Sequence, residues 1–121
     1  MIKENPEIKR RENIERTIIS NCLMDDKVLA LTITELSPSN FYFNDLQVIF
    51  IEMINIFQSN LKVDLTILVH NLTKNGNNSY RLTVMKLMEE YITSANQNNL
   101  IKILKEYKLR EISLKEFKES I

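Results

Sequence analysis

The sequence predicts an all-α fold, a compact bundle of about five to six helices followed by one long C-terminal helix. Three observations lead there. Cap-forming Asn, Asp and Ser residues recur just ahead of apolar runs. Within each run the apolar residues fall three and four apart and share a face. The last segment carries a heptad-like seam rather than a broad apolar stripe. The expected organisation is a lead-in over 1–12, a globular bundle over 13–93, and a long helix over 94–121.

Asn13 is placed to cap a first helix through Met24, with Ile14, Ile18, Ile19, Cys22 and Leu23 on one side. Pro6 suits the first position of a helix started by Asn5, so 6–12 can be helical as well. The Lys9-Arg10-Arg11 run reads as solvated lead-in. Asp26 is expected to cap a second helix to Glu35 that carries Val28, Leu29, Leu31 and Ile33.

Ser37-Pro38 reads as the cap and first residue of a short turn. Asn44 with Gln47 has capping-box spacing for a third helix over 45–59. That helix is apolar nearly all round, from Leu46 to Phe57, which marks it as buried and central. The triplet Phe41-Tyr42-Phe43 just before it is either a binding surface or a cover for its start; the residues alone favour the cover.

Asp64 caps the fourth helix, Leu65, Leu68, Val69 and Leu72 line one face, and Gly76 closes it. Ser79 begins the fifth, with Leu82, Met85, Leu87, Met88 and Tyr91 expected inward and the methionines as core filler. Ser94 with Gln97 again has capping-box spacing, opening a helix from 95 to the end. Along it Leu100, Ile103, Tyr107, Leu114, Phe117 and Ile121 alternate in steps of three and four, with Arg110 at the one missing position. Ile101, Leu104 and Ile112 widen its first half. A helix of about 26 residues extends about 39 Å, as long as the globule itself. Its far end is expected to project and present Leu114, Phe117 and Ile121 to a partner, with the chain ending inside the seam as a fragment would.

Composition narrows the function. Lys plus Arg and Asp plus Glu both total 16, so no basic excess advertises a phosphate-backbone binder. The single glycine excludes a P-loop, which needs two, and a dinucleotide fingerprint, which needs three. One histidine and one cysteine, His70 and Cys22, cannot supply a zinc-type ligand set or an internal disulfide. Asp25-Asp26 and Glu89-Glu90 are helix neighbours that point about 100° apart, so neither pair shares a proton. No catalytic, cofactor-binding or metal residue is expected in this chain. The polar N-terminus lacks the apolar core of a signal peptide, and no apolar run reaches the roughly 18–20 residues of a membrane span. A cytoplasmic location is expected.

Four stretches, in order, resemble the N-terminal domain of the bacterial replicative DNA helicase, the DnaB family, over about 13–112. "NIERTIISNCLMD" is similar to the family's Asn-x-Glu opening helix and its acidic stop. "LSPSNFYFNDLQVIF" resembles Leu-x-Pro-x-Asp-Phe-Tyr, a spacer, and Ile-Phe. "VDLTIL" resembles the Val/Ile-Asp-x-Val/Thr element. "ITSANQNNLIKILKEYKLREI" resembles Pro-Thr-Ala-Ala-Asn-Ile and the long helix with Leu-Arg-x-Leu that follows. The chain departs from the family at Leu46, where His is common, at "NNSYRL" in place of Gly-Gly-x-x-Tyr-Leu, and at Ile92 in place of Pro.

The resemblance implies a helical collar domain of a hexameric ring motor that unwinds duplex DNA. It implies pairing of such domains as building blocks of the hexamer, and docking of the helicase-binding domain of primase and of a loader. ATP and magnesium would belong to a separate motor domain of the parent protein, and DNA would be held by the parent ring. The seam from Leu100 to Ile121 would correspond to the first arm of a helical hairpin, and Phe41 and Tyr42 would be core plugs. The alternatives are a free-standing adaptor, loader or inhibitor of the helicase, the helicase-binding domain of a primase, or a helix-turn-helix regulator, against which the zero net charge counts.

Overall fold

A computed structural model describes residues 5–60 and 62–119, with the side chains of Asn60 and of residues 112–119 outside the description. Among the described residues the chain is helical, with α1 (Pro6–Met24), α2 (Asp26–Glu35), a 3-10 turn (Pro38–Asn40), α3 (Asn44–Asn60), α4 (Leu65–Thr73), α5 (Ser79–Glu90) and α6 (Gln97–Glu119).

Local chemistry accounts for most of these ends. Asn5 caps α1 by accepting the Glu7 N–H at 2.9 Å, with Pro6 at the first helical position. Residues 6–12 are therefore helix, and Asn13 lies inside α1 rather than at its start. The lead-in reading of Lys9-Arg10-Arg11 fails at Arg11, which is buried; only its two neighbours face solvent. Asp25, one residue before the expected cap, accepts the Lys27 N–H. Asp26 instead accepts the Val63 N–H at 3.3 Å and ties the start of α2 to the α3–α4 connection. Asp64 caps α4 through the Thr66 and Ile67 N–H groups. Gly76 follows with φ +91, a conformation that side chains disfavour.

Two expected capping boxes do not form. Gln47 sends its side-chain amide to the Pro38 carbonyl at 3.0 Å, and α3 begins at Asn44. Gln97 turns inward, donating to the Ile18 carbonyl at 3.2 Å and to Thr32 Oγ1 at 3.0 Å while accepting from Asn21 Nδ2 at 2.7 Å. A buried amide that joins α1, α2 and α6 outweighs a cap at the surface, because each buried polar group left unpaired would cost about 1–3 kcal/mol. Ser20 completes this polar layer by donating to the Leu87 carbonyl of α5 at 2.6 Å.

The core gathers one face of every helix: Ile18, Ile19 and Cys22 from α1, Leu29 from α2, Leu46, Ile49, Phe50 and Met53 from α3, Leu68 from α4, Val84 and Leu87 from α5, and Ile101 and Leu104 from α6. Full burial of such aliphatic and aromatic side chains contributes roughly 1.5–3 kcal/mol each. Phe41 plugs the start of α3 as expected, with its ring 4.9 Å from that of Phe50. Tyr42 does not; it is 57% exposed. On α5 the expected inward face is rotated. Val84 takes a core position, whereas Leu82 and Met85 point out at 56% and 51% exposure. A helix with apolar residues at 82, 84, 85, 87 and 88 offers two faces, and packing on α1 and α4 selects the one bearing Val84 and Leu87.

Candidate functional site

The most organised polar arrangement lies where the start of α1, the loop after the 3-10 turn and the outer half of α6 meet. Arg11 and Glu15 are one turn apart on α1, so their side chains meet on one face. Arg11 Nε donates to Glu15 Oε2 at 2.9 Å, and Arg11 also donates to the Asn40 carbonyl at 3.2 Å and to Glu111 Oε1 of α6. Its guanidinium carbon lies 5.1 Å from the ring centroids of both Tyr42 and Tyr107. One cation thus engages two aromatic rings and two carboxylates and joins three segments.

Glu15 is fully buried. It accepts the Tyr42 N–H at 3.0 Å and the Phe43 N–H at 3.2 Å, which fixes the loop that aims Phe41 into the core and Tyr42 out of it. Burial pushes its carboxyl above the usual carboxylate range, opposed by those two N–H groups and by Arg11. A shallow cleft of about 320 Å³ opens over this junction between Ile8, Tyr42, Tyr107 and Arg110, with Glu7 and Glu111 also lining it. Arg110 covers the Tyr107 ring at 5.6 Å.

Of the residues expected to form the seam, Tyr107 and Arg110 meet in this cleft. Leu100 and Tyr107 are half-buried against the core, and Ile103 is exposed. Ile101 and Leu104, read from sequence as extra width, make the deepest contacts of α6. Leu114 and Phe117 lie in the helical backbone of α6 with side chains outside the described residues, and Ile121 lies outside them altogether. Sequence reasoning missed Ile8, Arg11, Glu15 and Tyr42 as members of the junction. The Arg-x-x-x-Glu spacing from 11 to 15 was the available signal.

Cys22 is buried, and burial pushes its thiol up to about 12. His70 is exposed on α4. Among the described residues no group of three or more His, Cys, Asp or Glu side chains is arranged to hold a metal, and no helix is long and apolar enough to cross a membrane. The junction holds elements together, with Arg11 and Glu15 committed to each other and to the loop.

Searches of curated proteins and of solved structures found no match. The family model described as the DnaB-like helicase N-terminal domain matches residues 8–106, from the first turn of α1 to the middle of α6. The match takes in the Asn-x-Glu stretch that supplies Glu15, the Phe-Tyr loop that Glu15 holds, and the helix that carries Tyr107's neighbours. With an all-helical fold and most of its length matched, the chain belongs to the DnaB-like helicase N-terminal domain family.

Proposed function

We propose that this chain is a collar-type association module of a replicative helicase, with α6 as its contact arm. The observation that supports the reading is the division of labour along α6. Ile101 and Leu104 bind it to the bundle, while Ile103 stays exposed and Leu109 is 64% exposed. The last contacts with the bundle given by described side chains are Lys108 with the Ser39 carbonyl and Glu111 with Arg11, and the helix continues to Glu119. Leu114, Phe117 and Ile121 would continue the apolar seam there, with Arg110 setting register as a polar residue does in a coiled-coil interface.

Pairing through these arms would bias the shape of a hexameric ring, and the groove between paired domains would offer primase or a loader a composite site. ATP hydrolysis and DNA unwinding would reside in a motor domain elsewhere in the parent protein. Sedimentation and circular dichroism test the reading. The Leu114→Asp/Phe117→Asp double variant is expected to lose self-association while keeping the helicity of the bundle. An unchanged sedimentation profile with intact helicity overturns it.

A further inference from the structure

A second surface lies on α4 and α5, separate from the arm. These helices are joined by the 74–78 turn and leave between them an open groove of about 470 Å³. Leu65, Val69, Met85 and Met88 form its apolar lining, and His70 and Arg81 are its basic side chains. Among the described residues no carboxylate lines it; Glu89, one turn beyond Met85 on α5, is not part of the lining. Elsewhere the arginines have carboxylate or aromatic partners. Arg10 faces Glu7, Arg11 faces Glu15 and Glu111, Arg16 faces Glu90, and Arg110 lies over the Tyr107 ring. Among the described residues Arg81 has neither a carboxylate nor a ring.

Methionine is the apolar side chain best able to adapt to a partner, and exposed Met85 beside Met88 gives this groove such a lining. Exposed Leu82, one turn before Met85, extends the apolar strip. Helices of 9 and 12 residues present a groove that accommodates about three turns of a third helix. From the apolar lining, the unmatched cation and the groove's length, we propose that the α4–α5 groove docks a short amphipathic helix of another protein, its apolar face against Val69, Met85 and Met88 and an acidic residue at Arg81. The proposal stands apart from the reading of α6, since the two surfaces use different helices.

The test is a titration, by nuclear magnetic resonance, of the whole chain with methyl-labelled methionines. Two synthetic helical peptides of about twelve residues, a length set by the groove, carry the same leucine spacing, one flanked by Glu and the other by Lys. The Glu peptide is expected to shift the Met85 and Met88 methyl signals and to bind more weakly as salt is raised. Arg81→Glu, an exposed substitution that leaves the core intact, should weaken the Glu peptide about two- to fivefold and favour the Lys peptide. Equal binding of the two peptides, no binding, or binding that leaves the Met85 and Met88 methyl signals unmoved would each overturn the proposal. Met85 and Met88 shifts that follow protein concentration without peptide would assign the groove to a second copy of the chain and overturn it as well.

Discussion

The α1–α6 junction and the α4–α5 groove both set an arginine among apolar or aromatic side chains, and they treat it in opposite ways. Arg11 is buried and surrounded by Glu15, Glu111, the Asn40 carbonyl and two tyrosine rings. Arg81 is exposed on α5 and, among the described residues, has none of these. A satisfied buried cation closes a structure, because any rearrangement strands a charge in a poorly solvated place. An unmatched cation beside exposed methionine leaves a surface that changes little on its own and gains from a partner. The first region holds α6 on the bundle, and the second is the surface proposed to take a partner helix.

The largest effect that would break this contrast is on stability. Glu15→Ala removes the acceptor of the Tyr42 and Phe43 N–H groups and one of the two carboxylates facing Arg11. It should cost about 3 kcal/mol, lowering the midpoint of thermal unfolding by roughly 10 °C. Arg81→Ala should change stability by less than about 0.5 kcal/mol. Comparable losses in the two variants, read by calorimetry, would end the distinction between a closed junction and an open groove.

A smaller effect concerns the polar layer that seats α6. Gln97→Ala strands Asn21 Nδ2 and frees the Ile18 carbonyl and Thr32, at a cost of about 2 kcal/mol. Cys22 reports on it directly. Its thiol is buried and held protonated, so labelling by a thiol reagent at neutral pH requires the bundle to open. Labelling of the native protein should be slow and should accelerate about 30-fold in Gln97→Ala. Fast labelling of the unsubstituted protein would show that the layer does not seal the core.

Much of this fold could be read from local residues, and the failures share a cause. Asp64, Ser37-Pro38 and the Asn5-Pro6 pair act within a few residues of themselves, and each does what its type suggests. Gln97 carries the same local signature as a cap but is drawn inward by Asn21 and Thr32, far away in sequence. Arg11 reads as part of a solvated basic run until α6 brings Tyr107 and Glu111 to it. Tyr42 follows the same logic, since the cation it covers lies on α1, far away in sequence. Leu82 and Met85 are expected inward yet point out, because α5 has two apolar faces and only its neighbours choose between them. The family resemblance, carried by the Asn-x-Glu, Phe-Tyr and Val-Asp stretches, needed none of these long-range details. The junction that gives Glu15 its role did need them.

The smallest expected effect is the pH dependence that the junction alone should show. Burial raises the Glu15 carboxyl above its ordinary value of 4.5, and the two loop N–H groups and Arg11 offset this only in part. Between that ordinary value and the raised one, the folded chain binds more protons at Glu15 than the unfolded chain does. Stability from this group is therefore fully present below the ordinary carboxylate value and declines as pH rises through the raised one. Glu15→Gln keeps an acceptor for the loop and cannot ionise, so it should lack that decline. The quantity to measure is the difference in unfolding free energy between the unsubstituted protein and Glu15→Gln across this window, which cancels the carboxylates common to both. A difference that moves against the unsubstituted protein as pH rises places the cost of ionisation at Glu15. A difference that moves in its favour would mean that Arg11 and the loop N–H groups outweigh burial. The junction would then be held by its charge rather than in spite of it.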